Sequence, residues 1–325
     1  MKLTKIAVAA VALMVCAGTS ALAQTEIKFG HVGEPGSLLA QSAEEFAARA
    51  NEQLGDTAKV IVYGSSQLGN DNSLLQKLRL GTVDLALPSS IMSSQIPIFG
   101  LFDMPYLVED REHMARIRDE IVMPDMAPIA ESSGFRILAV WENGFRQLTN
   151  SLRPIQTPAD LRGIKLRTPS GEWRVKMFEA YGATRSPMAF SEVFVALQTG
   201  VMDGQENPYA QIYPSRFYEV QDYLSVSNHV YTPAYVMAGR SFDRLSPEIQ
   251  AILRDAATGM QDRVYEIAAA MDSELLAKLE ESGMQVNEVD REAFIEASQP
   301  IYEQFAASVD GSDAMIEKVR ALSSQ

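Results

Sequence analysis

The chain has 325 residues, 28 lysines and arginines against 42 aspartates and glutamates, three histidines and one cysteine, for a formal net charge of −14. That acidity argues against nucleic acid and anionic membrane surfaces as partners. The length suffices for two domains with sizeable cores.

Residues 1–23 form a separate object. Lys2 and Lys5 precede the apolar run Ile6 to Ala17, and Ala21-Leu22-Ala23 supplies small residues for a peptidase. These are the parts of a cleavable secretory signal peptide, with the cut before Gln24. The competing reading, a membrane anchor, fails on length, because a span needs about 20 apolar residues. Cleavage removes Cys16 and two lysines, leaving 26 basic residues against 42 acidic, or −16. An exported chain of this size without disulfides points to a bacterial periplasm and to a core that is stable alone.

The mature chain begins with a strand at Ile27 to His31, a turn at Glu34-Pro35-Gly36-Ser37, and a helix. That helix carries Leu39, Ala43, Phe46, Ala47, Ala50 and Leu54 on one face and ends at Gly55. A second strand (Val60 to Tyr63), a helix that stops at Gly81, and a third strand (Val83 to Leu87) follow. Strands alternating with helices imply parallel pairing and right-handed crossovers.

An internal echo sets LRLGTVDLAL (78–87) beside LQTGVMDGQE (197–206). In each, a helix ends in glycine and an apolar pair with aspartate opens a strand, which suggests two similar α/β lobes. The second lobe begins near Phe135, with Arg136 to Trp141 as its first crossing strand.

The stretch Leu161 to Pro208 reads as strand, helix, short strand, helix, strand. Ile164 to Arg167 alternates and is stopped by Thr168-Pro169, so Arg167 closes a strand. Ser170 caps the next helix, which ends at Gly182, and Ser191 starts another that ends at Gly200. Ligands of open α/β sheets bind beyond the carboxyl ends of strands, where Arg167 and Gln205-Glu206-Asn207 fall. Trp141 to Arg185 holds eight basic residues and four acids, +4 inside an acidic chain. An anionic ligand is therefore plausible here, while most of the eight read as exposed surface charges.

Tyr235 to Ala238 reads as a strand returning to the first lobe. Ser246 then caps a helix running to Gly283, with Ile249, Leu253, Ala256, Met260, Val264, Ile267, Met271, Leu275 and Leu279 at steps of three and four. Roughly 36 residues at ~1.5 Å give ~54 Å, long enough to run across both lobes. A coiled coil competes, but charged e and g flanks are missing. A strand over Met284 to Val289 and a helix after Asp290 complete the chain.

The three histidines (His31, His113, His229) have no metal-ligand spacing, and no HExxH, GxSxG, Walker or GxGxxG pattern occurs. His31 reads as a satisfied structural or pocket residue and His113 as solvated. The expectation is binding rather than turnover, with no cofactor and no metal.

The motifs LRGIKLRTP (161–169), YGATRSPMAFSEVFVALQTGVMDGQENP (181–208), YEVQDYLSVSNH (218–229) and YGSSQLGND (63–71) resemble the periplasmic solute-binding proteins of tripartite ATP-independent (TRAP) transporters. The resemblance covers essentially the whole mature chain. It implies an α/β, two-lobe periplasmic binding protein fold with a long helix spanning both lobes. Lobe I comprises 24–144 and 233–272, and lobe II comprises 145–232 and 273–325. It also implies a monomer that closes over a small carboxylate and hands it to ion-gradient-driven TRAP membrane permease subunits. Arg167 matches the family arginine that pairs with the ligand carboxylate, and Asn207 a residue that hydrogen-bonds the same region. Arg146 matches a second arginine near the ligand, Phe190 an aromatic wall, and Asp71 a polar position that some members place near the ligand. Val32 and Ser89 stand where sialic-acid-binding members carry asparagine and an acid, which disfavours that kind of ligand. His31 and Glu34 lie in a loop able to reach the distal end of the ligand, and Trp173 and Tyr209 could supply stacking surface. An exported hydrolase or lyase on the same scaffold, and a sensor subunit presenting ligand to a signalling receptor, are the alternatives.

Overall fold

Two mixed sheets divide the chain, and the computed structural model describes residues 24–323 of it. The signal peptide read in residues 1–23, with Cys16, lies outside the described residues. The first part comprises β1 (Thr25–Gly30), α1 (Leu38–Leu54), β2 (Ala58–Tyr63), α2 (Asp71–Leu80), β3 (Leu85–Ala86), α3 (Arg111–Ile117), a π-helical stretch (Arg118–Met126), α4 (Ala127–Ser132) and β4 (Arg136–Phe145). Next come β5 (Gln147–Asn150), β6 (Lys165–Thr168), α5 (Glu172–Ala180), β7 (Thr184–Pro187), α6 (Val193–Gln198), β8 (Gly204–Asn207), α7 (Tyr209–Ile212) and β9 (Tyr223–Val226). The chain ends with β10 (Tyr231–Ala238), α8 (Pro247–Gly259), α9 (Gln261–Glu281), β11 (Gln285–Glu288), α10 (Arg291–Ser308) and α11 (Ser312–Ala321).

The first sheet has the order β2-β1-β3-β10-β4 and the second β11-β9-β5-β8-β6-β7. Pairing is parallel for β1 with β2 and β3, and for β6 with β7 and β8, as the alternation predicts. It is antiparallel for β10 with β3 and β4, and for β5 with β8 and β9, which corrects the all-parallel expectation. The reason is the route of the chain: β5 and β10 arrive from the other sheet rather than through a crossover helix. β4 leads directly into β5, and β9 leads back into β10. Where the two connections pass, the Arg146 N–H donates to the Val230 carbonyl at 3.0 Å.

The internal echo is a real structural repeat. Gly81 and Gly200 both adopt φ +70° after their helices, a left-handed conformation that glycine reaches without a Cβ penalty. The following aspartates then do the same job in each sheet. Asp84 accepts from the Lys28 backbone N–H at 2.8 Å, and Asp203 from that of Lys165 at 2.8 Å. Each fastens the start of its own strand to a parallel neighbour.

The nine apolar residues spaced along 249–279 are all buried, yet the helix is not continuous. It breaks at Met260, whose N–H bonds to the Ala257 carbonyl, three residues back. Gly259 weakens the helix locally by about 1 kcal/mol, and the Trp141 indole N–H takes the same Ala257 carbonyl at 2.9 Å. A side chain from β4 thus enters the helical ladder at the break. Beyond it, α9 packs on α1 and β4 and then on α7, so it touches the first sheet and the helix that follows β8 of the second. Trp141 also stacks edge-to-face with Phe29 and Phe46, at centroid distances of 6.4 and 5.8 Å, and joins α1, β1 and β4.

Helix starts largely follow the capping residues. Ser37, Asp290 and Ser246 accept from Ala40, Ala293 and Ile249 backbone N–H groups at 3.2, 3.1 and 3.3 Å. Ser170 does not cap α5; Gly171 takes that position, where a side chain would collide with Ser93. His113, expected in solvent, is fully buried, with Nε2 2.9 Å from the Val319 carbonyl of the C-terminal helix.

Candidate functional site

A cavity between the sheets collects the carboxyl ends of the parallel strands. Val32 comes from the end of β1, and Ser89, Ser90 and Ile91 follow β3. Arg167, Pro169 and Ser170 come from β6, Met188, Ala189 and Phe190 follow β7, and Asn207 ends β8. The start of α2 adds Asn70, Asp71 and Asn72, while Asn143, Arg146 and Gln211 complete the wall. This is the location that open α/β sheets use for ligands.

Three guanidiniums lie in or behind this wall, and their partners differ. Arg146 makes a bidentate pair with Glu206, through Nε to Oε2 and through Nη2 to Oε1 at 2.9 Å, and also donates to the Glu206 carbonyl at 2.6 Å. Arg174 bridges two acids, with Nη1 2.8 Å from Glu206 Oε2 and Nη2 2.8 Å from Asp103 Oδ1. Among the described residues, Arg167 has no acid in contact. Its Nε and Nη2 donate to the Met188 carbonyl at 3.0 and 2.7 Å, and its guanidinium lies 6.0 Å from the Phe190 ring centroid.

The electrostatics follow from those partners. Burial works to raise the Glu206 carboxyl, but Arg146 and Arg174 outweigh it and hold Glu206 well below the usual carboxylate range. Arg174 is raised: burial opposes its charge, and Glu206 and Asp103 more than offset that. Arg167 goes the other way, pushed down to about 10 by burial and then by the charge of Arg146. It is the buried cation least satisfied by protein. His229 completes the cluster, with ring nitrogens 3.2 Å from Glu206 Oε2 and 2.8 Å from Ser227 Oγ, and burial pushes its imidazole below the ordinary value against the pull of Glu206. Across the cavity, burial pushes the half-buried Asp71 up to about 6, against the pull of Arg167.

Of the residues singled out from sequence, Val32, Asp71, Ser89, Arg146, Arg167, Phe190 and Asn207 line this cavity. Four do not. His31 points away from Val32, because successive residues of an extended chain face opposite sides. Its ring packs against Gly64, where an added Cβ would lie 2.8 Å from Cε1. Burial lowers it to about 4, so it sits there neutral. Glu34 accepts from the Ser65 hydroxyl at 2.8 Å outside the cavity. The Trp173 indole is wedged against Gly100 and Phe305, with ring centroids 5.0 Å apart in the aromatic pair. Tyr209 is core, buried in the same apolar cluster as Met271 and Leu275 of α9.

Sequence reasoning missed Glu206, Arg174, Asp103 and Gln211. Glu206 was visible only as the middle of Gln205-Glu206-Asn207, and Arg174 only as one of eight basic residues counted mostly as surface. Among the described residues, no group of histidine, cysteine and acidic side chains could hold a metal ion, and no helix is long and apolar enough to cross a membrane.

The family described as bacterial extracellular solute-binding protein, family 7, matches residues 29–308. The chain is 33% identical over 282 residues to the 2,3-diketo-L-gulonate-binding periplasmic protein YiaO of Escherichia coli (strain K12), covering 86% of each. A TRAP periplasmic solute binding protein from Polaromonas sp. JS666, bound to D-erythronate, superposes with a TM-score of 0.89 at 31% identity, over 93% of this chain and 100% of that one. Another, from Sulfurospirillum deleyianum DSM 6946 with bound succinate, superposes with a TM-score of 0.86 at 32% identity, again over 93% and 100%.

Proposed function

The chain belongs to the bacterial extracellular solute-binding proteins of family 7, and from that membership we propose a specific site and working cycle for it. It is a binding protein of a TRAP transporter rather than an enzyme. On our reading it is exported, loses residues 1–23, and works in the periplasm as a monomer. Residues 24–144 with 233–272 move as one lobe, and 145–232 with 273–325 as the other. They close on a small carboxylate, and the closed form delivers it to the TRAP membrane subunits. Ligand favours closure because it contacts both lobes at once.

The observation that carries the reading is the state of Arg167. It is a buried guanidinium on the cavity wall that makes no ion pair among the described residues, beside two others that are ion-paired. A carboxylate can meet it with charge-assisted hydrogen bonds, which are strong in a dry site. Asn207 stands beside it with Nδ2 held by Gln205 Oε1 at 2.6 Å, leaving the second amide proton for the same ligand group. Arg146 orders the wall through Glu206, and Phe190 closes one side.

Thermal-shift screening of organic acids, amines and neutral sugars tests this directly, since a ligand at a hundred times its Kd stabilises by about 2.7 kcal/mol. Carboxylates are expected to raise the melting temperature. A screen in which only amines or neutral sugars did so would overturn the reading. Similarity leaves the class of acid open, because the D-erythronate and succinate binders are 31% and 32% identical to this chain.

A further inference from the structure

Asn143 and Arg146 both line the cavity, although an unbroken strand would turn positions three apart to opposite faces. The irregularity lies in the pairing of β4 with β10. Thr232 pairs with Gly144 and Pro233 with Glu142, so Asn143 has no partner across the ladder. Such a bulge re-aims a side chain, and β10 fixes this one. Thr232 Oγ1 donates to the Gly144 carbonyl at 3.2 Å and accepts from Asn143 Nδ2 at 3.2 Å. Asn143 Oδ1 in turn accepts from Gln211 Nε2 at 3.1 Å. Gly144 permits the bend with φ +120°, a conformation that residues with side chains rarely adopt. The glycine is also crowded: an added Cβ would lie 3.2 Å from Pro208 Cβ and 3.4 Å from Glu142 Oε1.

The residue before the bulge belongs to a buried ion cluster that does not line the cavity. Glu142 is 1% exposed, and Arg111 at the start of α3 grips it in bidentate form, with Nε 2.8 Å from Oε2 and Nη2 2.7 Å from Oε1. The same Nη2 donates to Asp272 Oδ2 of α9 at 2.5 Å. Charge-assisted bonds of this kind are strong and directional, so α3, β4 and α9 are tied together one residue from Asn143. Tyr231 of β10 and Tyr265 of α9 are the other titratable groups that act on Glu142, and burial raises both phenols. Burial also pushes Glu142 up to about 7, against the pull of Arg111, and the charge of Asp272 adds to the rise. Ionised, the carboxyl keeps its grip on Arg111; protonated, it gives up the charge that makes the grip strong. We propose that Glu142 is a positioning residue for the ligand site: clamped by Arg111, its carboxylate holds the Asn143 bulge in the cavity wall, so that ligand binding and the ionisation of Glu142 are linked. A ligand that favours the held bulge favours the ionised carboxyl, and affinity therefore rises with pH. This rests on the carboxylate reading above and adds to it a residue outside the cavity.

The test is calorimetric titration of the mature protein across neutral pH. Lactate, pyruvate, succinate, malate, D-erythronate and gluconate are the probes, and the tightest binder is carried through the series. All variants are made on Asp71→Asn, which removes the cavity's own titration at about pH 6. On that background affinity is expected to rise about three- to tenfold as pH rises through the Glu142 range, since a tenfold change corresponds to one pKa unit of linkage. Glu142→Gln should hold affinity at the acid-side value at every pH. Arg111→Lys, which keeps the charge without the planar fork, should retain a smaller rise. Asp272→Asn alters a side chain that is 28% exposed and removes a charge that raises Glu142, so the inflection should move to lower pH. Should Glu142→Gln fail to fold, the position of that inflection decides alone. A Glu142→Gln profile parallel to its parent's, or an inflection that Asp272→Asn leaves in place, overturns the inference and leaves the carboxylate reading standing. Failure of every probe to bind overturns both.

Discussion

Replacing Arg167 with methionine should weaken binding and strengthen the empty fold, a combination that only an unpaired, ligand-directed cation produces. Burial and Arg146 push this arginine from 12.5 to about 10, which at 1.36 kcal/mol per tenfold corresponds to roughly 3 kcal/mol against holding the charge there. Methionine removes that cost and keeps most of the buried stem. Against it, the Met188 carbonyl loses both its donors, at 3.0 and 2.7 Å, worth about 1–2 kcal/mol. The empty variant should therefore be more stable by about 1–2 kcal/mol, a rise of about 2–4 °C in a chain of this size. Binding should move the other way. Losing charge-assisted bonds to a desolvated carboxylate costs about 3 kcal/mol, or roughly 150-fold in Kd, while Arg167→Lys, which keeps the charge without the planar fork, should cost about 2 kcal/mol. Differential scanning calorimetry on protein refolded free of co-purified ligand, with titration of the acid identified by screening, reads both quantities. A variant that melted several degrees lower would make Arg167 a structural prop for Met188. An affinity within threefold of the parent would remove it from the ligand's carboxylate.

Glu206→Gln should destabilise by about 3–5 kcal/mol, seen as a lower urea midpoint, because Arg146 and Arg174 stay buried after losing their shared anion. Glu206 is held below the ordinary carboxylate range, so its contribution is complete above pH 4.5 and is lost only in stronger acid. Asp71 has the opposite sign. With its folded value raised from 3.8 to about 6, the folded chain holds the proton longer than the unfolded chain, and stability falls as pH rises through that window. Melting temperatures of the empty Asp71→Asn variant should lose that slope. Asp84→Ala and Asp203→Ala should each cost about 1–2 kcal/mol and add in the double variant, since they perform one task in two different sheets. Unequal costs, or strong coupling between them in chemical denaturation, would count against the repeat.

Local signals carried the strands and helices that end at the site, while anything decided by distant pairing stayed hidden. Strand ends at Arg167 and Asn207, helix ends at Gly81 and Gly200, and nine of the buried positions along 249–279 were legible from alternation, glycine and the 3.6-residue period, while Ala257, Tyr265 and Ala268 were not. β5 and β9 are four residues each and carry polar side chains that are buried by partners, such as Thr149 on Gln221 Oε1 at 3.0 Å. Nothing local marks such strands, and nothing local sets their direction. His113 follows an acidic turn and looks solvated, yet it is buried by a helix 206 residues downstream. The break at Met260 leaves the apolar period intact because the helix changes its hydrogen bonding there without changing its buried face.

The +4 segment shows most plainly why the site was only half legible. Counting charges in sequence makes Arg146, Arg167 and Arg174 equivalent, whereas folding gives them different partners. Arg174 receives two acids, Arg146 one acid in bidentate form, and Arg167 only a backbone carbonyl. The two paired arginines are costly to disturb, while the third stands on the cavity wall with no acid against it. One anion satisfies it.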